Sequence, residues 1–372
     1  MGSSNNSSNA PHIDLNKIEK RFKYPRLRLK DEGYKIVGMK DEKIGIISKK
    51  SINIYETKSY KKIYEIKKED NGIIENMTEL DNYDLIIIFY SHGSYKIKIY
   101  TLKNEKYELF QIIDNDANGY KEKKKKRFNL FFKYRKISYH LKNIIKLSNN
   151  RFIAVANLGF KIYSKDKDSQ YSLSLSNKNE SHDCINNIYV INENELIIIY
   201  DSYNDKTSLF GSDNYIFEID KFDIKTNSII KKIYSKKEDG EKKNHFSDFV
   251  ILKKKYLIII LAEKFYVIDI LEGIKMPVTF SSWKYDTVSY RNDTQIFSLE
   301  STNDDIFLLM KQYQFSVIHF NDNLNSLKII GKFNYEPINK NISEYGYDSD
   351  KHQFKKIKND FYICENGFIN FY

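Results

Sequence analysis

One repeat decides the fold of this chain, and its clearest copy runs from Ile73 to Ile113. These residues read IIENMTELDNYDLIIIFYSHGSYKIKIYTLKNEKYELFQII. They divide into four strand-like runs, which are separated by turn signals such as Asp81-Asn82 and His92-Gly93. The runs are Ile73 to Leu80, Asp84 to Tyr90, Tyr95 to Tyr100 and Tyr107 to Ile113. The stretch therefore predicts four antiparallel strands joined by short turns.

The third run, an apolar strand that ends in an aromatic or branched residue, recurs through the chain. Its end positions are 45 to 63 residues apart and are Tyr55, Tyr100, Tyr163, Phe222, Ile268, Phe320 and Tyr372. A repeat of this length, with four short strands in each copy, is typical of β-propellers. Seven copies therefore predict a seven-bladed, all-β propeller of four-stranded antiparallel blades over 21–372. The two longest intervals predict polar insertions at 114–136 and 201–214.

The second run of several copies is apolar at almost every position. It reads LIIIF at Leu85 to Phe89, ELIII at Glu195 to Ile199 and LIIIL at Leu257 to Leu261. Such runs indicate a strand that is buried on both faces, as the second strand of a blade is between its neighbours. A generic antiparallel sandwich is the competing fold, but a sandwich does not require a regular repeat.

The two ends of the chain predict how the ring closes. The last copy stops at Tyr372, after its third strand, and therefore lacks an outer strand. The segment Phe22 to Leu29 is strand-like and precedes the first full copy. We expect this N-terminal strand to join the C-terminal blade, because closure removes free sheet edges.

Four histidines occupy equivalent places, each just before an apolar first-strand pattern: His140, His182, His245 and His352. In two copies an aspartate directly follows the repeating end position of the third run: Asp223 follows Phe222, and Asp269 follows Ile268. In these features the chain resembles WD-repeat proteins from about Phe22 to Tyr372, with degenerate motifs. The resemblance implies that the four histidines are structural blade-entry residues and not metal ligands. The family's Trp position holds Tyr, Phe or Ile here, so the alternative is a propeller of another family.

Catalytic and cofactor-binding motifs are absent from the sequence. It contains no GxSxG, no GxxxxGK[ST], no GxGxxG, no HExxH and no EF-hand loop. We therefore expect no enzyme, no cofactor, no metal and no small-molecule substrate. The predicted function is a non-catalytic scaffold whose partners are other proteins of a multi-subunit complex.

The formal net charge is +11, but 54 of the 61 basic residues are lysine. AT-rich codons raise lysine content without selection for a polyanion, and phosphate readers favour arginine. The strongest local signal is KEKKKKR at 121–127, followed by more basic and aromatic residues. The candidate polyanion-binding residues are Lys121, Lys123, Lys124, Lys125, Lys126, Arg127, Lys133 and Arg135. The favoured interpretation is a solvated loop, and the alternative is a basic arm (121–136) that contacts RNA or a ribonucleoprotein.

The first 20 residues are polar and predict a disordered leader. Gly2 approaches a myristoylation signal, so the alternative is a membrane-surface propeller anchored through an acyl chain and a basic patch that binds anionic lipid. The sequence shows no signal peptide and no transmembrane run of 18 apolar residues. A cytoplasmic or nuclear location is therefore expected.

Overall fold

The computed structural model describes most of the chain between Leu27 and Phe371. The described residues are 27–30, 35–48, 51–68, 72–92, 94–115, 140–167, 169–178, 184–204, 214–239, 246–253, 255–261, 264–280, 294–298, 305–311, 314–323, 325–334, 353–357, 360–365 and 368–371. They contain 29 β-strands and no helix. The prediction of an all-β protein is therefore confirmed.

The strands of the first half form three sheets of four strands each. Sheet 1 contains β2 (Lys35–Gly38), β3 (Lys43–Ile47), β4 (Ser51–Glu56) and β5 (Lys62–Lys67). Sheet 2 contains β6 (Ile73–Glu79), β7 (Leu85–Ser91), β8 (Ser94–Lys103) and β9 (Lys106–Asn115). Sheet 3 contains β10 (Leu141–Lys146), β11 (Phe152–Ala156), β12 (Gly159–Lys165) and β13 (Tyr171–Lys178).

The strands of the second half form four further sheets. Sheet 4 contains β14 (Ile185–Val190), β15 (Glu195–Asn204), β16 (Asn214–Asp223) and β17 (Ser228–Asp239). Sheet 5 contains β18 (Phe246–Leu252), β19 (Tyr256–Leu261), β20 (Lys264–Asp269) and β21 (Ile274–Met276). Sheet 6 contains β22 (Thr279–Phe280), β23 (Thr294–Ser298), β24 (Ile306–Lys311), β25 (Gln314–Asn321) and β26 (Ser326–Asn334). Sheet 7 contains β27 (Gln353–Ile357), β28 (Asp360–Glu365), β29 (Phe368–Phe371) and β1 (Leu27–Lys30).

The repeat predicted from the sequence matches these sheets closely. Each of the four runs predicted for the second copy overlaps one strand of sheet 2, and both turn signals fall between strands. Six of the repeating third-run positions lie on the third strand of their sheet and are buried: Tyr55, Tyr100, Tyr163, Phe222, Ile268 and Phe320. Tyr372 lies outside the described residues. The chain therefore folds as repeated antiparallel four-strand units.

The hydrophobic core lies between neighbouring sheets. One cluster joins sheets 1 and 2, and four more join sheets 2 and 3, 3 and 4, 4 and 5, and 5 and 6. The second strands contribute to the clusters on both sides. Within β7, for example, Leu85 and Ile87 pack toward sheet 1, whereas Ile86 and Ile88 pack toward sheet 3. This confirms a second strand that is buried on both faces, and each such side chain contributes roughly 1.5–3 kcal/mol by burial.

The outer strands carry a feature that the repeat did not predict, a β-bulge near the end of the third strand. In sheets 1, 2, 3, 4 and 6 the fourth strand has an extra residue there, which is Ile63, Phe110, Ser174, Ile230 and Ile330 respectively. Sheet 4 has a second extra residue at Ile233. A bulge increases the local twist and disrupts the ladder. On an outermost strand it therefore works against edge-to-edge pairing with another molecule.

Sheet 6 corrects the prediction that every blade has four antiparallel strands. It has a fifth strand, β22, which pairs in parallel with β26, with Thr279 opposite Ser326 and Phe280 opposite Leu327. This short strand follows β21 of sheet 5 after Pro277, which cannot donate to a ladder. Its pairing covers backbone groups of the outer edge of sheet 6, which would otherwise be open.

Strands extend into the edges of both predicted insertions, and the insertions themselves stay predictions. Strand β9 continues to Asn115, and the β15–β16 hairpin extends until Asn204 stands opposite Asn214. The β-branched and aromatic residues near the tip of that hairpin, such as Tyr203, Tyr215 and Ile216, favour strand although the surrounding sequence is polar. Residues 116–136 and 205–213 lie outside the described residues.

The first described strand belongs to the last sheet. Strand β1 pairs antiparallel with β29, with Leu27 opposite Phe371 and Lys30 opposite Phe368. The pairing agrees with the expectation that an N-terminal strand supplies the missing outer strand, although only Leu27 to Leu29 of the predicted segment are described. Closure of the whole ring, and its count of seven blades, stay predictions.

Candidate functional site

Most residues singled out in the sequence as binding candidates lie outside the described residues. This holds for Gly2 and for Lys121, Lys123, Lys124, Lys125, Lys126, Arg127, Lys133 and Arg135. It also holds for His182, His245 and His352. Their proposed roles stay predictions.

His140 is described, and it lies directly before β10, where the repeat placed it. Its ring nitrogen Nδ1 contacts the hydroxyl of Tyr95 in sheet 2, and the two rings meet edge to face with centroids 5.4 Å apart. Its backbone amide donates to Oδ1 of Asn157 at 2.9 Å. The contact with Tyr95 joins sheet 3 to sheet 2, and the bond to Asn157 lies within sheet 3. Both support a structural blade-entry role, which stays a prediction.

The first strands contain a β-bulge followed by a polar residue, a feature that the sequence analysis did not predict. In sheets 2, 3, 4 and 5 the first strand bulges by one residue, and the next residue is Asn76, Asn143, Asn187 or Asp248. Each of the three asparagine side chains accepts a hydrogen bond at Oδ1 from the following backbone amide, at 2.8 to 2.9 Å. The side chain thus satisfies a donor at the point where the ladder is interrupted.

Polar contacts also join the first strands of neighbouring sheets. The Asn76 amide donates to Oδ1 of Asn143. Lys35 donates to the carbonyl of the bulge residue Glu75 at 3.3 Å, and Lys142 donates to the carbonyl of Ile185 at 3.2 Å. The first strand β6 is also in contact with both β2 and β10. These bonds align the inner edges of sheets 1 to 4.

A second set of links lies on what we call the turn face. The turn face consists of the turns that join first to second strands and third to fourth strands, which share one edge of each sheet. Asp81 joins sheet 2 to both of its neighbours, since its carbonyl accepts from Lys40 (2.5 Å) and its carboxylate pairs with Lys146 (2.5 Å). Arg151 of sheet 3 donates to the carbonyl of Glu193 in sheet 4 (3.2 Å), and Lys231 of sheet 4 donates to the carbonyl of Glu272 in sheet 5 (2.7 Å). Lys253 of sheet 5 pairs with Asp322 of sheet 6 (3.1 Å). Each exposed contact is worth about 1 kcal/mol or less. Together they connect sheets 1 to 6 in order.

Asp84 is the most deeply buried carboxylate among the described contacts of this face, with 1% of the residue exposed. Its Oδ1 accepts from the Thr101 hydroxyl at 2.8 Å. Its Oδ2 accepts from the Tyr171 hydroxyl at 2.8 Å and lies 2.8 Å from the Lys165 ammonium, and both of these groups belong to sheet 3. Burial raises the pKa of the Tyr171 hydroxyl far above its usual value, and the neighbouring carboxylate adds to this. Tyr171 is therefore a neutral donor, and the network locks sheet 2 to sheet 3.

Glu79 makes a similar connection between sheets 2 and 1. This buried carboxylate accepts from the Tyr107 hydroxyl at 2.8 Å and from the backbone amide of Lys40 at 2.6 Å. Burial, and then the charge of Glu79, raise the pKa of Tyr107. The bond from Lys40 joins sheet 1 to sheet 2, whereas the bond from Tyr107 lies within sheet 2 and holds the carboxylate in place.

The outer rim exposes large apolar side chains. Four of them lie in two neighbouring sheets whose outer strands, β17 and β21, are in contact. They are Ile229 (51% exposed), Ile230 (53%), Leu271 (52%) and Ile274 (52%), and we call them the rim patch. Lys231 bridges the two sheets beside it, and an added Cβ on Gly273 would lie 2.9 Å from the Lys231 side chain. A solvent-facing group of this kind is typical of a protein-binding surface.

In the described part of the chain, no group of three or more His, Cys, Asp or Glu side chains is placed to hold a metal ion. No helix able to cross a bilayer occurs in that part either.

The sequence matches no protein-family model and no curated protein. Solved structures do resemble the fold. A chain of a mitotic checkpoint complex aligns with a TM-score of 0.58 at 7% identity, over 100% of this chain and 97% of that chain. The Cps50 (Swd1) β-propeller domain of Myceliophteria thermophila aligns with a TM-score of 0.52 at 9% identity, over 93% of this chain and 98% of that chain.

Raptor from Chaetomium thermophilum aligns with a TM-score of 0.54 at 11% identity, over 97% of this chain. This chain spans only 30% of the length of that one. At these identities the similarity establishes the β-propeller fold and nothing finer. A WD-repeat ancestry, which no family model supports, stays a prediction.

Proposed function

We propose that this protein is a non-catalytic scaffold that binds other proteins within a multi-subunit assembly. The rim patch carries the proposal, because it presents four large apolar side chains to solvent on neighbouring sheets of a cross-linked β framework. Similarity to a chain of a mitotic checkpoint complex over nearly its full length supports a role of this general kind.

The framework suits a platform because its sheets are fixed to one another. Buried clusters, the bonds from Tyr171 to Asp84 and from Lys40 to Glu79, and the turn-face contacts all cross sheet boundaries. A rim held in this way presents its side chains without a large ordering cost on binding, and pre-organisation of this kind favours affinity. The rim residues of sheets 4 and 5 can therefore act together as one binding surface.

The rim patch gives a direct test. We expect the variant Ile229→Thr, Ile230→Thr, Leu271→Gln, Ile274→Thr to lose at least one protein partner by about tenfold or more, because truncated apolar anchors at an interface typically cost more than 1 kcal/mol each. Quantitative mass spectrometry of proteins that co-purify with the tagged protein from its native source measures this loss.

The matched control alters exposed apolar residues elsewhere, with Ile63→Thr, Ile73→Thr and Leu173→Thr. Both variants should unfold at nearly the same denaturant concentration as the unaltered protein, since all these side chains are about half exposed. Recovery of the same partners in the same amounts by the rim variant and the control would contradict the proposal.

A further inference from the structure

We propose that the protein partner of the rim patch binds through an acidic segment, in which an aspartate or glutamate stands beside large apolar side chains. This inference rests on the proposed scaffold function and names the chemistry of the partner at the same surface. It is carried by a groove between the outer strands β17 and β21, which are in contact. We call it the lysine groove, and it contains Lys231, Tyr234, Tyr266, Gly273 and Lys275.

Strand register and side-chain contacts place both lysines in this groove. Lys275 lies opposite Ile268, whose side chain packs into the core between sheets 4 and 5, so Lys275 points toward sheet 4. Lys231 reaches from sheet 4 to sheet 5, where its ammonium donates to the Glu272 carbonyl at 2.7 Å. Its methylene groups pass over Gly273, since an added Cβ there would lie 2.9 Å from the Lys231 Cδ. The two ammonium groups therefore belong to one short stretch of the rim.

Lys275 is held by two tyrosine rings of the groove. Its ammonium lies 5.3 Å from the centroid of the Tyr234 ring and 4.6 Å from that of the Tyr266 ring. The two ring centroids are 5.5 Å apart. Burial raises the pKa of the Tyr234 hydroxyl, and the neighbouring Tyr266 adds to this, so the phenol is neutral near pH 7. The rings therefore orient the lysine by cation–π contact without cancelling its charge.

The charge of the lysine groove favours an acidic occupant. Within the part of the chain that the structure describes, neither Lys231 nor Lys275 pairs with a carboxylate. Lys232, the next residue of β17, pairs instead with Glu218 at 2.9 Å. Glu272 contributes one opposing charge to the adjoining turn, so the two ammonium groups leave an excess of positive charge. A partner carboxylate is attracted by both ammonium groups, whereas a basic segment is repelled by them.

The rim patch supplies the apolar part of the surface. Ile230 directly precedes Lys231 in the sequence, and Ile274 directly precedes Lys275. Leu271 belongs to the turn between β20 and β21, and each of these three apolar side chains is more than half exposed. Apolar anchors supply most of the affinity of an interface, and charged groups around them fix orientation and exclude wrong partners. The occupant is therefore expected to carry apolar side chains on either side of its carboxylate.

Selection from a random dodecapeptide library displayed on phage tests the chemistry of the partner. The full-length protein is the target, and phage that also bind the rim variant Ile229→Thr, Ile230→Thr, Leu271→Gln, Ile274→Thr are removed. This depletion keeps peptides that need the rim patch without favouring any charge. We expect the retained peptides to contain aspartate or glutamate beside large apolar residues. Absence of rim-dependent peptides, or retention of peptides without an acidic residue, would overturn the proposal.

Matched substitutions then test the two lysines. By fluorescence anisotropy, a synthetic peptide of the retained sequence should bind Lys231→Gln/Lys275→Gln about tenfold more weakly, because two charge-assisted contacts are lost. The control Lys106→Gln/Lys328→Gln removes the same charge from exposed positions on the outer strands of sheets 2 and 6, and it should bind as the unaltered protein does. Equal losses in the lysine-groove variant and the control would show a general charge effect and refute the proposal.

An amide version of the same peptide isolates the pairing of charges. Replacing its aspartates and glutamates by asparagine and glutamine should weaken binding to the unaltered protein by about tenfold and change binding to the Lys231→Gln/Lys275→Gln variant little. Equal weakening in both proteins would count against contact between the carboxylates and the two lysines. Failure of the scaffold function is a separate result, in which the rim variant keeps every co-purifying partner. Neutral rim-dependent peptides would leave the scaffold function standing and remove only the acidic partner.

Discussion

Replacing Asp84 by alanine is expected to lower the free energy of unfolding by about 3–5 kcal/mol. The carboxylate is 1% exposed and receives bonds from the Thr101 and Tyr171 hydroxyls and from the Lys165 ammonium. Its removal leaves these groups without their acceptor at the interface between sheets 2 and 3, and a partly buried charge without its partner. Urea unfolding followed by tyrosine fluorescence or circular dichroism measures the change.

The same turn provides the control. Asp81 lies three residues earlier, and its carboxylate pairs with Lys146 at 2.5 Å on the exposed surface. Asp81→Ala should therefore lower the free energy of unfolding by about 1 kcal/mol or less. If Asp84→Ala lowers the free energy of unfolding by no more than Asp81→Ala does, the buried network does not hold sheets 2 and 3 together.

Removal of strand β1 is expected to have an effect of similar size. A chain that lacks residues 1–30 loses the four opposed residue pairs between β1 and β29, whereas a chain that lacks residues 1–20 keeps them. At roughly 1 kcal/mol for each net backbone hydrogen bond, the loss is on the order of 4 kcal/mol. The exposed edge of β29 should also promote self-association. Urea unfolding and analytical ultracentrifugation of the two truncated chains measure both effects.

The two truncated chains distinguish the contribution of β1 to stability from that of residues 1–20. Equal stability and an equal monomer fraction would mean that β1 does not seal the last sheet. A loss of stability in the chain that lacks residues 1–20 would instead show that the polar leader contributes to the fold.

The sequence was sufficient to place the repeated strands because local patterns encode them. Continuous apolar runs such as Leu85 to Phe89 mark the second strand, and alternation around Tyr100 marks the third. Turn pairs such as Asp81-Asn82 fix the boundaries between strands to within a few residues. These features depend only on neighbours along the chain, so one sequence contains them.

The links between sheets could not be predicted in the same way. Asp84 reads as a turn residue, and its burial depends on Tyr171 and Lys165, which are more than 80 residues away. The parallel strand β22 likewise depends on which outer edge lies beside it. Single-sequence patterns do not specify such partners.

One missed feature did have a signal in the sequence. Asn76, Asn143 and Asn187 occupy the same position of successive first strands, each one residue after the bulge. Comparison of the repeats at this position, and not only at the third strand, would have revealed the bulge. Asparagine is otherwise unfavourable inside a strand, so its recurrence there indicates a special backbone role.

The rim patch shows why hydrophobicity along the chain does not by itself identify a surface residue. Ile229 and Ile230 look like core residues, but a bulge and an outermost position expose them. The tertiary position of each residue therefore decides its role.

Engineered cysteines can show whether the first strand seals the last sheet. In a Cys184→Ser/Cys364→Ser background, the pairs Arg28→Cys/Asn370→Cys and Leu29→Cys/Ile369→Cys place cysteines at directly opposed positions. Two pairs are needed because cross-strand geometry alternates along an antiparallel ladder. We expect an intrachain disulfide in at least one pair, seen by mass spectrometry after proteolysis, and none in the offset pair Arg28→Cys/Phe368→Cys. Absence of the bond from both opposed pairs, or its formation equally in the offset pair, would contradict the closed ring.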